Sequence, residues 1–161
     1  MNAQAGPGRY VRHTILAQIG PEGQARIREA RVLVLGLGGL GGHLASAMVR
    51  AGVGRVRLVD RDMAEEHNLH RQTLYDEKDV AEGLPKAVAA ARKLSAVNRD
   101  VEVEGLVRDV NRGNIEELLD GCAVALDGAD NFELRLLLND AAGVGEGKDG
   151  GLGMNLHGST V

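Results

Sequence analysis

The chain has 161 residues, with 19 Lys plus Arg against 23 Asp plus Glu and a formal net charge of −4. That length holds one domain, at most with a fragment of a second, and it buries enough core to fold without a disulfide or metal staple. A mildly acidic chain whose only aromatic residues are Tyr10, Tyr75 and Phe132 lacks the charge and the stacking surfaces of a nucleic-acid binder, so no nucleic-acid partner is expected. Cys122 is the sole cysteine. This excludes an internal disulfide and any CxxC pair, and no zinc site is expected. No apolar run reaches membrane-spanning length, and the first twenty residues do not read as a signal peptide. A cytoplasmic protein with no membrane partner is the expectation.

Residues 9–19, RYVRHTILAQI, carry a helical apolar spacing through Val11, Ile15 and Ile19. Gly20-Pro21 breaks it, and a second helix is predicted to run to Ala30. Arg31–Leu35 is a short, branched apolar run, which predicts a buried strand. The glycine stretch 36–41 follows. Then comes a helix to Ala51, with Leu40, Leu44, Ala47 and Met48 expected on its inner face. Arg55–Val59 is a second strand, ending at Asp60. Residues 61–85 form a polar connection without strong periodicity, a length more often functional than accidental. Lys86–Val97 predicts a helix with Ala87, Ala90, Leu94 and Val97 inward. Val101–Val107 alternates as a strand, Asn114–Leu119 is a short helix, and Cys122–Leu126 is a strand ending at Asp127. Phe132–Ala142 is a helix on the repeat of Leu134, Leu137, Leu138 and Ala141. Residues 143–153 are glycine-rich with no expected element.

Strand and helix alternate. The fold class expected is therefore α/β, a Rossmann-like, doubly wound, mostly parallel sheet with N-terminal helices. The expected organisation is a helical arm over 1–30, a nucleotide-binding domain over 31–142 and a glycine-rich tail over 143–161.

Gly36, Gly38, Gly39 and Gly41 stand in the order GLGGLG between a strand and a helix. There, glycines allow a tight turn and a close approach of phosphate to backbone, and the helix N-terminus supplies free N–H groups. Asp60, 19 residues beyond Gly41, is placed to accept hydrogen bonds from a ribose hydroxyl. An NAD-binding domain fits these features equally well. Charge separates the readings. Asn68, Arg71, Gln72 and Lys86 follow the second strand, and Asp127, Asp130 and Asn131 follow the fourth. Loops at the carboxyl ends of parallel strands share one edge. Two cations with carboxylates such as Asp62, Asp127 and Asp130 suit ATP with Mg²⁺ better than a dinucleotide. The five histidines show no metal-ligand spacing, and Cys122, set in a predicted strand, is expected to be inert.

The stretches RYVRHTIL at 9–16, RVLVLGLGGLGGHLA at 31–45, AGVGRVRLVDRD at 51–62, HNLHRQTLY at 67–75, PK at 85–86 and LDGADNFELR at 126–135 together resemble the ThiF/MoeB/HesA family, the activating enzymes of ubiquitin-like sulfur-carrier proteins. The resemblance implies an adenylyltransferase. The C-terminal carboxylate of the carrier attacks the α-phosphate of ATP, pyrophosphate leaves, and an acyl-adenylate forms. It also implies roles. Gly39 and its neighbours set backbone against the nucleotide, Asp60 holds the ribose, and Asn68, Arg71 and Lys86 contact phosphates. Asp130 binds the metal with Asn131 beside it, and Arg12 reaches the ATP of a neighbouring subunit in a homodimer. Relatives continue past GSTV at 158–161, in what resembles their next strand, with a crossover loop, often a reactive cysteine, and CxxC zinc pairs. The chain is thus expected to be C-terminally truncated. A non-catalytic nucleotide-binding partner subunit and, more remotely, an NAD-dependent oxidoreductase are the alternatives.

Overall fold

A computed structural model describes residues 8–144 and 156–157. Its centre is a parallel sheet of β1 (Arg31–Leu35), β2 (Arg55–Asp60), β3 (Glu102–Val107), β4 (Val124–Asp127) and β5 (Leu156–His157), in the spatial order β3-β2-β1-β4-β5. Strand order reverses between β1 and β4, so their carboxyl ends diverge and leave a crevice.

The helices are α1 (Val11–Thr14), α2 (Gly20–Glu29), α3 (Gly39–Ala51), α4 (Glu77–Ala81), α5 (Lys86–Val97), α6 (Ile115–Leu119) and α7 (Phe132–Val144). Alternate residues of the strands feed two cores. Val32, Val34, Val56 and Leu58 pack with Ala45 and Val49 of α3 and with Ala87, Ala90 and Leu94 of α5. Leu33, Leu35 and Val59 pack with Ile115 and Leu118 of α6 and Leu138 of α7. The doubly wound architecture expected from the sequence is the one observed.

Several boundaries differ from expectation, each for a physical reason. The helix foreseen over 9–19 is a single turn. Val11, Ile15 and Leu16 are exposed, so among the described residues this part of the apolar stripe meets no core to hold it helical. On α3 the buried face is Gly41, Gly42, Ala45 and Val49. Leu44 and Met48 flank it, and Ala47 is exposed. β4 begins at Val124, so Cys122 lies before the strand, half-buried. Burial pushes its thiol pKa up, opposed by Arg57, Arg31 and Arg55, which keeps it protonated and unreactive at neutral pH. α7 runs to Val144. Between the stretch 143–153, read without an element, and GSTV at 158–161, read as resembling a strand, Leu156 and His157 pair with Leu126 and Asp127 of β4. A free parallel edge, not residue propensity, creates that short strand. Residues 145–155 and 158–161, GSTV included, lie outside the described residues. Among the described residues no helix is long and apolar enough to cross a membrane.

The connection 61–85 is a structured strap. It contains a 3₁₀ turn at Glu66–Asn68 and the five-residue α4, too short for periodicity to reveal. Asp76 and Asp79 close a capping box at the start of α4. Lys93 of α5 clamps both carboxylates, at 2.6 Å from Asp76 and 2.5 Å from Asp79. The hydrogen bond from Lys93 holds the Asp76 pKa below the usual carboxylate range. Burial lowers the Lys93 pKa, but its hydrogen bonds to Asp76 and Asp79 outweigh this and raise it. The sign follows from linkage. A depressed carboxylate adds stability above its unfolded pKa and loses it as pH falls through the folded one, and a raised lysine adds stability until pH rises past its folded pKa. The clamp therefore acts from about pH 4 to beyond pH 10. Lys93→Met should flatten the acid limb of stability against pH, measured by urea unfolding from pH 3 to 7.

Candidate functional site

The crevice is a cleft of about 210 Å³ at the carboxyl ends of β1, β2 and β4. Its floor is the glycine loop. Gly36 has φ of +76°, and a Cβ there would sit 2.8 Å from the Ala129 backbone. A Cβ on Gly41 would lie 1.7 Å from the Gly36 carbonyl oxygen, and one on Gly128 2.6 Å from the same atom. These three glycines are closely packed backbone. Gly38 differs: it caps α3 with φ of −71°, its position meets only Gln72 Nε2 at 3.7 Å, and it faces the cleft. Gly39 lies against the Arg71 carbonyl. The amino end of α3 and its unpaired N–H groups thus open onto the cleft, with a partial positive charge.

Asp60 ends β2 at the cleft wall. Its Oδ2 accepts from Leu37 N–H at 2.6 Å and its Oδ1 from Asp62 N–H at 2.8 Å. The carboxylate therefore fixes the glycine loop, and each oxygen keeps further acceptor capacity. Lys86 is the buried cation of the site. Its side chain is 7% exposed, its Nζ lies 3.1 Å from Asp62 Oδ2, and Asp62 is 57% exposed. The Lys86 N–H also donates to the Asp62 carbonyl at 2.8 Å. The Lys86 ammonium thus faces the cleft with one partly solvated partner.

Asn68 and Gln72 are 4% and 5% exposed, yet Asn68 Oδ1 and Gln72 Oε1 have no hydrogen-bond partner. A buried orphan of this kind costs about 1–3 kcal/mol. Gln72 lines the cleft, as do Asp130 and Asn131. Asp130 is exposed and makes no hydrogen bond or ion pair with any described residue. Asn131 Oδ1 accepts from Glu133 N–H at 2.9 Å and so caps α7. No group of three or more His, Cys, Asp or Glu among the described residues forms a metal cage. One free carboxylate is nonetheless the usual protein share of a Mg²⁺ site completed by phosphate and water.

Four expected site residues stand elsewhere. Asn68 is buried in the strap and does not line the cleft. Asp127 is buried behind the loop, where Oδ1 accepts from Ala129 N–H at 3.0 Å and Oδ2 pairs with Arg135 Nε at 2.7 Å. It holds the 127–131 turn and is not a spare carboxylate. Arg71 is exposed and bonds the His67 carbonyl at 3.2 Å. Its backbone touches the loop, but its side chain is not in the cleft wall. Arg12 is exposed on α1. The neighbouring Tyr10 packs at Gly52, the far end of α3, and a 13-residue helix spans about 20 Å. No single copy brings Arg12 to its own cleft.

Arg61, Arg108, Asp109 and Val110 also line the cleft, and Arg61 pairs with Asp109 at 2.9 Å. Sequence reasoning missed them, although they directly follow β2 and β3, and the rule of converging carboxyl ends would have found them.

Fold and cleft together define an open-sheet α/β domain with a cleft at the point where strand order reverses. Comparison with known proteins narrows this. The ThiF family matches residues 10–148, and the chain belongs to that family. The sulfur carrier protein ThiS adenylyltransferase of Bacillus subtilis is 52% identical over 135 residues, covering 84% of this chain and 40% of that protein. The sulfur carrier protein adenylyltransferase of Thermus thermophilus is 47% identical over 134 residues, covering 83% and 49%. This chain thus spans less than half the length of these curated relatives. Among solved structures, E. coli tRNA N6-threonylcarbamoyladenosine dehydratase, TcdA, in complex with ATP superposes with a TM-score of 0.76 at 25% identity, covering 86% of this chain and 56% of that one.

Proposed function

We propose that this chain is the nucleotide-binding part of an ATP-dependent adenylyltransferase that activates the C-terminal carboxylate of a ubiquitin-like sulfur-carrier protein. One observation carries the reading most: the buried orphan oxygen of Gln72 and the buried ammonium of Lys86 line one cleft with the open glycine loop. Similarity to sulfur-carrier adenylyltransferases, and the ATP bound in the TcdA structure, support it.

In this reading Gly38 and Gly39 set backbone along the phosphates on the tight turn that Gly36 and Gly41 permit, and Asp60 accepts from the ribose while it holds the loop. Lys86 faces the phosphates, joined by Asn68 from the adjoining strap and by Arg71 after its side chain swings from the His67 carbonyl. Asp130 would hold Mg²⁺, whose charge would offset that of the phosphates. The carrier carboxylate is already an anion, so it needs no general base. Its oxygen bonds to the α-phosphorus, the bond from that phosphorus to the bridging oxygen breaks, and pyrophosphate leaves with the electron pair. The protein contributes positioning and fixed positive charge. Arg12 fits only a cleft in a second copy. The exposed Val11, Ile15 and Leu16 of the arm and Phe132 and Leu136 of α7 supply apolar surface for such a homodimer. The proposed setting is the cytoplasm, where ATP is available.

The test is carrier-dependent exchange of labelled pyrophosphate into ATP by the full chain. Exchange that appears only with carrier and Mg²⁺, and falls in Asp130→Ala, is the expected result. ATP binding without exchange at saturating carrier would instead identify a non-catalytic partner subunit. Tighter binding of NADH than of ATP with Mg²⁺ would overturn the nucleotide assignment.

A further inference from the structure

The Leu37 peptide units are gripped from both sides. Leu37 N–H donates to Asp60 Oδ2 at 2.6 Å, and the Leu37 carbonyl accepts from the Tyr75 hydroxyl at 2.8 Å. The Leu37 side chain is fully buried and Tyr75 is 6% exposed. Tyr75 comes from the strap that also carries Asn68 and Gln72, and Tyr75 N–H donates to the Gln72 carbonyl at 3.1 Å.

Peptide planarity gives this grip a consequence. A carbonyl and the N–H that follows it lie in one plane and point in opposite directions across a trans bond, and the described chain has no cis bonds. Drawing the Leu37 oxygen into the core toward Tyr75 therefore turns Gly38 N–H outward, toward the cleft that Gly38 lines. That N–H has no acceptor among the described residues. Glycine at 38 also makes rotation of this peptide sterically cheap. Released, the plane could turn the Leu37 carbonyl toward the cleft, where its negative end would repel an anion. We infer that Tyr75 is a positioning residue: its hydroxyl holds the Leu37 carbonyl inward and so aims Gly38 N–H at a phosphate oxygen. The inference rests on the cleft being the ATP site. Burial, with Asp60, Asp79 and Asp62 nearby, pushes the phenol pKa far up, so the hydroxyl stays a donor throughout the neutral range.

The test is calorimetric titration of the full chain with tripolyphosphate and, separately, with adenosine. In Tyr75→Phe, tripolyphosphate should bind about tenfold more weakly, the scale of one charge-assisted hydrogen bond, while adenosine binds unchanged. Tyr75→4-aminophenylalanine restores a donor and should restore tripolyphosphate binding. If Tyr75→Phe does not fold, comparing the 4-amino variant with Tyr75→4-fluorophenylalanine carries the same test at near-constant volume. Unchanged tripolyphosphate affinity, or parallel losses for both ligands, would overturn the role and leave Tyr75 as packing. Weaker tripolyphosphate binding in Tyr75→Phe, with no carrier-dependent exchange by the wild-type chain, would sink the adenylyltransferase reading alone. A wild-type chain that binds no tripolyphosphate would sink both.

Discussion

Lys86→Met should lower kcat/KM for carrier-dependent adenylylation by about 10²–10³-fold, the loss seen when one preorganised charge or donor is removed from a reacting oxyanion. Methionine keeps most of the aliphatic stem and removes only the charge. The departing pyrophosphate gains negative charge as its bond to the α-phosphorus breaks, and a buried ammonium stabilises that charge more than it does the ground state. Stability should change little. Asp62 is 57% exposed, so water covers it once its partner is gone, and a partly exposed ion pair contributes about 1 kcal/mol at most. Steady-state exchange rates set beside thermal midpoints decide the matter. A variant with near-normal rates would remove Lys86 from the mechanism, whereas equal losses of rate and fold would mark it as structural.

Gly41→Ala and Gly38→Ala should separate the two tasks of the glycine loop. At Gly41 a methyl group would collide with the Gly36 carbonyl oxygen at 1.7 Å, with Gly128 Cα also within 3.5 Å. All of these atoms are backbone, so the strand-to-helix turn itself must move. A loss of about 3 kcal/mol is expected, or roughly 10 °C in melting temperature for a chain of this size. At Gly38 the added methyl meets only a flexible side-chain end at ordinary contact distance. Stability should hold to within about 1 kcal/mol, since alanine is merely a poorer cap, while ATP affinity falls about tenfold because the methyl projects where phosphate would approach. Differential scanning calorimetry and ATP titration on the pair provide the check.

Much of the site was legible because its signals are local. The glycine loop, Asp60 at a strand end and Lys86 at a helix start were all fixed by periodicity and spacing, and the parallel sheet brought them to one edge. The misreadings have a common origin. Asp127 looks like any acid at a strand end until Arg135, eight residues on, is seen to fold back on it. The resting place of the Arg71 side chain, on the His67 carbonyl, could not be read from its motif either. Tyr75 carried no signal at all, because its partner atom is a main-chain carbonyl 38 residues away.

The amino-acid sequence by itself determined the alternation of strands and helices and the glycine turn, since each depends on residues near one another along the chain. Tertiary structure alone decided which carboxylates are free and which are spent on the fold, whether the arm at Arg12 reaches its own cleft, and where the Leu37 peptide points. Those outcomes depend on which distant atoms share a few ångströms of space, and hydrogen-bond partners chosen across the fold leave no periodic trace in the order of residues.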